Sequence, residues 1–276
     1  MKRRIRLIPA LLIVGIVLVS FATAGGSRKR ISAATNEYSS LSDVEAEIRF
    51  GRELAARILG NYGLLDDEGI NRYVNLIGKA VALHAGRPEI EFYFGVLDSD
   101  EINAFACPGG YIFISRGALV EMDNEAQLAA VLGHEIAHVV KKHVVKELNI
   151  SGDEGSGAGG IASLIGGPTS SFTVALEQAL DDATDILFNR GYKVKDEIEA
   201  DRVGILLAAI AGYDPGALKE FLNNVKSFEK EDTTYKGEHP IFEVRMGAIN
   251  ETLKAHGLHD VRKAKARDRF YENIKK

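Results

Sequence analysis

One cysteine, Cys107, in a chain of 276 residues leaves no partner for an intramolecular disulfide, and none stands near the start of the chain to carry a lipid. Stability therefore has to come from packing or from a bound metal. Basic charge is also scarce: the formal net charge is −5, and it becomes −9 once the four cations Lys2, Arg3, Arg4 and Arg6 are set aside. Such a surface does not suit nucleic acid, and no nucleic-acid partner is expected. No repeat recurs at a fixed period, which excludes solenoid architectures. Beyond residue 27 the best apolar stretch is Val203 to Ala211, far short of the roughly 20 residues that cross a bilayer. What remains is an ordinary globular composition, 46% hydrophobic and 26% charged, so disorder is not the default reading.

The first residues are the exception. Lys2 to Arg6 is basic, Leu7 to Ser27 is uncharged and rich in Leu, Ile and Val, and Ala22-Thr23-Ala24 is a small-x-small pattern. That order predicts a secretory signal peptide cleaved after Ala24, with an uncleaved membrane anchor as the alternative. Arg28, Lys29 and Arg30 follow at once and weaken the orientation signal of either. The expected organisation is residues 1–26 as signal peptide or anchor, 27–40 as linker and 41–276 as a single domain. The domain is expected outside the cytoplasm, in the periplasm or anchored facing it, with the membrane surface reached through the N-terminal segment.

Apolar spacing near three and four predicts helices over Val44–Leu59 and Ile70–Ala85. Alternation over Ile90–Val96 and the β-branched and aromatic run Tyr111–Ser115 predict two strands, with Gly109-Gly110 turning the chain into the second. Asn124 as N-cap with Gln127 three residues on predicts a helix that runs to about Leu148. Seven glycines between Ser151 and Ser171 mark a loop, either a linker or a mobile cover. Helical patterning resumes over residues 172–188, 195–211, 215–228 and 241–256. The class is α+β, mostly helical, with a small sheet beside the helix that begins at Asn124.

That helix carries Gly133-His134-Glu135-Ile136-Ala137-His138. At about 100° per residue, His134 and His138 stand about 40° apart, so both imidazoles aim at one point, as a zinc ion needs of two ligands. Glu135 lies about 100° from His134, beside the ligands, where a base for a metal-bound water belongs. The apolar neighbours Ala130 to Leu132, Val139 and Val140 bury the helix. His143 falls about 180° from His134 on a continuous helix and is expected to point away. A third ligand is sought in the acidic run Asp196 to Asp201, where Glu197 and Asp201 share a helix face and Glu199 does not. One carboxylate of that pair can bind the metal while the other braces a histidine.

These motifs, together with Glu197-x-x-Ala200-Asp201-Arg202, the upstream stretch Asn103 to Gly110, and the downstream His239-Pro240 with Arg245, resemble the CAAX-prenyl-protease and HtpX family of metallopeptidases over about Ile48 to Asn250. The resemblance implies a zincin-like (gluzincin) fold. It implies His134, His138 and Glu197 as ligands of one Zn2+, Glu135 as the catalytic residue and Asp201 as support for a ligand. It implies His239 and Arg245 as donors to the oxyanion. It also implies that Gly110, Tyr111, Ile112 and Phe113 lie on an exposed edge strand where an extended substrate pairs. The chain lacks the family's multi-span core and the tetratricopeptide repeats of some relatives, which points to exported, single-domain members. Cys107 stands where an aliphatic residue is common and is read as core filler, with a regulatory thiol near zinc as the other reading.

The expected function is a zinc endopeptidase that cleaves internal peptide bonds of envelope proteins, unfolded or misassembled ones, in quality control. The alternative is a zinc-stabilised envelope chaperone or assembly factor that binds without cleaving.

Overall fold

In a computed structural model of the chain, residues 41–151, 170–226 and 242–275 are described. The signal or anchor segment, nearly all of the glycine-rich loop, His239 and Pro240 lie outside them. Helix α1 (Leu41–Tyr62) buries Val44, Phe50, Leu54 and Ile58, and α2 (Glu68–Ala82) buries Tyr73, Val74, Ile77 and Val81. Each is a single stripe at helical spacing. Asp67 caps α2 by accepting from the Ile70 amide at 2.9 Å, which starts the helix two residues ahead of its apolar pattern.

The sheet has three strands where the sequence predicted two. Strand β1 (Tyr93–Leu97) runs parallel to β3 (Tyr111–Ser115), and β2 (Ala104–Cys107) runs antiparallel to β3, in the order β1-β3-β2. Between β2 and β3 the turn Pro108–Gly110 holds Gly109 at φ 72° and Gly110 at φ 92°, the left-handed region that glycine enters without strain. This order corrects the expectation that Gly110 to Phe113 form an exposed edge. Strand β3 is central, with Tyr111 paired to both Tyr93 and Cys107 and Phe113 to both Gly95 and Phe105, so its hydrogen-bonding groups are taken on both sides. Among the described residues, the edge with no strand partner on the β2 side is that of β2 itself. Cys107 is fully buried in an apolar cluster that also holds Phe50, Leu54 and Phe105, and burial pushes its thiol pKa up, so it packs as a small apolar side chain.

After the short α3 (Arg116–Val120), the chain enters α4 (Glu125–Lys141), in which every residue from Glu125 to Val140 is buried. The predicted cap is present: Asn124 Oδ1 accepts from the Gln127 amide at 3.1 Å, while Gln127 Oε1 accepts from Asp123 N at 2.8 Å. The helix stops earlier than its pattern. Lys142 adopts a left-handed conformation, φ 58° and ψ 41°, and a separate turn of helix, α5 (His143–Glu147), follows. Beyond come α6 (Ser170–Asp185), widened into a π-turn over Ile186–Arg190, then α7 (Val194–Ile210), α8 (Ala217–Val225), α9 (Phe242–Ala255) and α10 (Arg267–Ile274).

The C-terminal segment is tied to the start of α4. The fully buried Glu125 carboxylate accepts from the Tyr213 hydroxyl at 2.7 Å, from Arg269 Nε at 2.6 Å and from the Tyr73 hydroxyl, while Lys265 O accepts from Ala126 N. The Lys265 carbonyl thus takes one of the first-turn amides that have no partner within the helix, while the Glu125 carboxylate lies at the positive end of the helix dipole.

Helices α4 and α7 cross at backbone contact. A Cβ added to Gly204 would lie 2.6 Å from His134 N, and one on Gly133 would lie 2.8 Å from Gly204 O. Only glycine at both positions permits this approach. Gly204→Ala should therefore force the helices apart, lowering stability by about 1–3 kcal/mol and separating His134 from the acidic start of α7. Thermal unfolding and zinc content of the variant check this, and wild-type values for both would show that the crossing is not tight.

Candidate metal centre

His134 and His138, one turn apart on α4, present Nε2 atoms 3.0 Å from each other. Glu197, in the first turn of α7, lies opposite, with Oε2 3.5 Å from His134 Nε2 and Oε1 3.5 Å from His138 Nε2. All three side chains are buried. A tetrahedral zinc with ligands at about 2.0–2.1 Å would hold neighbouring ligand atoms about 3.3 Å apart, and the observed spacings lie on either side of that value. Two imidazoles and a carboxylate are a donor set that zinc accepts, and they leave a fourth position open. The residues present fit the metal. Among the described residues no other trio of His, Cys, Asp or Glu side chains meets so closely.

Behind the cluster stands Asp201, one turn after Glu197 on α7, with Oδ1 2.9 Å from His134 Nδ1. Arg245 of α9 donates from Nε and Nη2 to the two Asp201 oxygens at 2.9 and 2.7 Å, and its Nη1 lies 3.2 Å from Glu197 Oε2. The sequence led to the expectation that this arginine offers a donor to the oxyanion. The structure adds a bracing role, because the guanidinium compensates two buried carboxylates at once. It also borders the cleft in front of His134 and Glu135, which Asn103, Ala104, Val131 and Phe221 help to line. His239 falls outside the described residues.

His143 does not point away from the cluster. The bend at Lys142 breaks the continuous helix on which that expectation rested and swings the ring back, so His143 Nδ1 lies 2.8 Å from His138 Nδ1. Tyr192 completes the surroundings, its ring stacked on His138 with centroids 3.9 Å apart. No spacing in the sequence marks Tyr192. The angle of about 180° from His134 holds for His143 only on a continuous helix, and this helix ends at Lys141.

The electrostatics follow from burial. Burial opposes charge on His134, but the Asp201 and Glu197 contacts outweigh it and push the pKa up to about 10. Burial, and then the neighbouring His134 charge, hold His138 well below the usual histidine value. Asp201 is buried too, yet Arg245 and His134 keep its carboxyl below the usual range. The metal-free protein at neutral pH therefore carries one positive charge on this histidine pair, with both ring nitrogens of His134 protonated and His138 neutral.

Two outcomes are expected. Because the proton on His134 has to leave before Nε2 can bind a metal, zinc binding should release a proton at neutral pH, and affinity should rise about tenfold per pH unit until it levels near pH 10. Calorimetric titrations in buffers of different ionisation enthalpy read the proton directly, and a pH-independent affinity would contradict the assignment. Arg245→Ala should leave Asp201 and Glu197 uncompensated and destabilise the protein by about 3–5 kcal/mol, with loss of bound metal. Wild-type melting and metal content in that variant would remove the bracing role.

Comparison with known proteins matches the chain to a family. The family model described as peptidase family M48 matches residues 69–253, a range that contains His134, Glu135, His138, Glu197, Asp201 and Arg245. The beta-barrel assembly-enhancing protease of Escherichia coli (strain K12) is 28% identical over 276 residues, covering 97% of this chain and 52% of that protein. The chain thus spans about half the length of that relative. The mitochondrial metalloendopeptidase OMA1 of Bos taurus is 32% identical over 154 residues, 52% of this chain and 28% of that one, and the mitochondrial metalloendopeptidase OMA1 of Schizosaccharomyces pombe is 25% identical over 221 residues, 76% and 62% respectively. The resemblance to the prenyl proteases and HtpX is thereby placed at a coarser level, that of the whole family. The chain belongs to peptidase family M48.

Proposed function

We propose that the protein is a zinc endopeptidase of gluzincin type, with one Zn2+ held by His134, His138 and Glu197, acting on unfolded or misassembled proteins of the bacterial envelope. The observation that carries this reading is the meeting of those three ligand atoms within 4.8 Å of one another, at a cleft that Glu135 also lines. A zinc ion held by His134, His138 and Glu197 would polarise the scissile carbonyl and lower the pKa of the attacking water. Glu135, next to His134 on the helix and at the cleft, takes the proton from the attacking water and returns it to the leaving amine. Asp201 holds His134 in the tautomer that leaves Nε2 for the metal, and Arg245 fixes Asp201 and Glu197. His239 remains a proposed donor to the oxyanion.

The strand open to an extended substrate is β2, because β3 is paired on both sides. The outer edge of β2 borders the cleft through Ala104, and an extended peptide adding there would lie beside His134 and Glu135. Val131, Leu218 and Phe221 offer apolar contacts to a side chain of that peptide. An envelope location is supported by the charge pattern of residues 1–26, read as signal peptide or anchor, and by the similarity to a protease whose name ties it to β-barrel assembly. No helix among the described residues is long and apolar enough to cross a membrane.

Glu135→Gln separates the enzymatic reading from a zinc-stabilised chaperone. Because the side chain binds no metal, the variant should keep wild-type zinc and lose casein cleavage by at least about a hundredfold. A chaperone would never have cleaved, and cleavage at wild-type rate by the variant would take the proton-transfer role from Glu135.

A further inference from the structure

His138 has two ring nitrogens, and the structure divides them. Nε2 faces His134 and Glu197, while Nδ1 faces His143 Nδ1 at 2.8 Å. His143 is buried, meets His138 edge to face with centroids 4.8 Å apart, and turns its own Nε2 toward Glu199 Oε2 at 3.4 Å and Asp196 Oδ1 at 3.9 Å. Glu199 in turn is held by Lys141 Nζ at 2.9 Å. A continuous polar chain therefore runs from Lys141 through Glu199 and His143 to a metal-facing histidine.

Proton counting gives this chain a direction. A neutral imidazole has one N–H and one lone pair. If the Nε2 lone pair of His138 binds the metal, its Nδ1 carries the hydrogen and can only donate. His143 Nδ1 must then accept, since two N–H groups cannot face each other at that distance, and the hydrogen of His143 sits on Nε2, toward the carboxylates of α7. One set of tautomers satisfies every nitrogen in the row. His134 is served by Asp201 directly, whereas His138 reaches its carboxylate through a second ring.

Resting on the reading of His134, His138 and Glu197 as metal ligands, we propose that His143 is a positioning residue for the metal ligand His138, accepting its Nδ1–H and anchored by Glu199. The bend at Lys142 gives this geometry its cause. A helix continued past Lys141 would carry His143 to the far side, and the left-handed residue brings it back beside a ring one turn earlier. With Tyr192 stacked on the face of His138, the ligand ring is fixed on its face and at its edge.

The test measures zinc affinity by competition with a chromophoric chelator, alongside melting of the metal-free protein. His143→Leu keeps bulk and removes the acceptor. His143→Asn puts an amide oxygen where Nδ1 stood. His143→Leu should weaken zinc binding about 10–100-fold while the metal-free melting temperature stays near wild type, and His143→Asn should recover most of the loss. A merely structural role would instead lower the metal-free melting temperature, with no recovery by asparagine, and that result would overturn the proposal. So would a folded His143→Leu with wild-type affinity. Should His143→Leu fail to fold, Glu199→Ala at the half-exposed end of the chain decides the matter: a several-fold loss of affinity supports the proposal and unchanged affinity rejects it. Wild-type protein that binds no zinc would instead remove the metal reading and this inference with it.

Discussion

The crossing of α4 and α7 at Gly133 and Gly204 governs the spacing on which the metal cluster depends. Helix axes in proteins usually lie 8–10 Å apart because side chains separate them. Where both residues are glycine the backbones touch, and the first turn of α7 is drawn in beside the histidine turn of α4. Glu197 and Asp201 need that proximity, since a carboxylate side chain is too short to bridge an ordinary gap. The sheet and the remaining helices enclose this crossing and keep α4 free of solvent along nearly its whole length.

Burial turns the cluster into a problem of charge balance. Glu197, Asp201 and Glu135 are three buried carboxylates, against one buried arginine, Arg245. Without metal, a proton on His134 supplies part of the missing positive charge. A divalent ion with both histidines neutral completes it, so the metal-loaded centre has no net formal charge. Low dielectric makes any imbalance costly, so that sum would favour a dication here alongside the three candidate ligand atoms.

Much of this was readable from local pattern. Apolar spacing gave α1, α2 and α7, Asn124 with Gln127 gave the start of α4, and a separation of four residues put His134 with His138 and Glu197 with Asp201. What escaped depends on neighbours distant in the chain or on backbone that no residue type announces. Strand β2 is Ala-Phe-Ala-Cys, without the β-branched run of β3, so its own side chains do not mark it as a strand. Whether β3 is central or at an edge depends on its partners and is not encoded in its own side chains. Lys142 is neither glycine nor asparagine, so its left-handed conformation has no signature, and the place of His143 was hidden with it. Arg245 was marked by resemblance, but its two carboxylate partners lie more than forty residues away in sequence.

The attachment of α10 to Glu125 gives the molecule a mechanical property. Arg269 and the Lys265 carbonyl hold the first turn of the same helix that bears the histidines, so tension applied to the C-terminal segment is taken up first at that turn. The helix has no solvent-exposed turn between Glu125 and Val140 where such a load could dissipate by local fraying. A fusion, a surface tether or a neighbouring protein that pulls on that segment would strain that first turn. Such a load would enter α4 at Glu125, on the helix that carries the histidines.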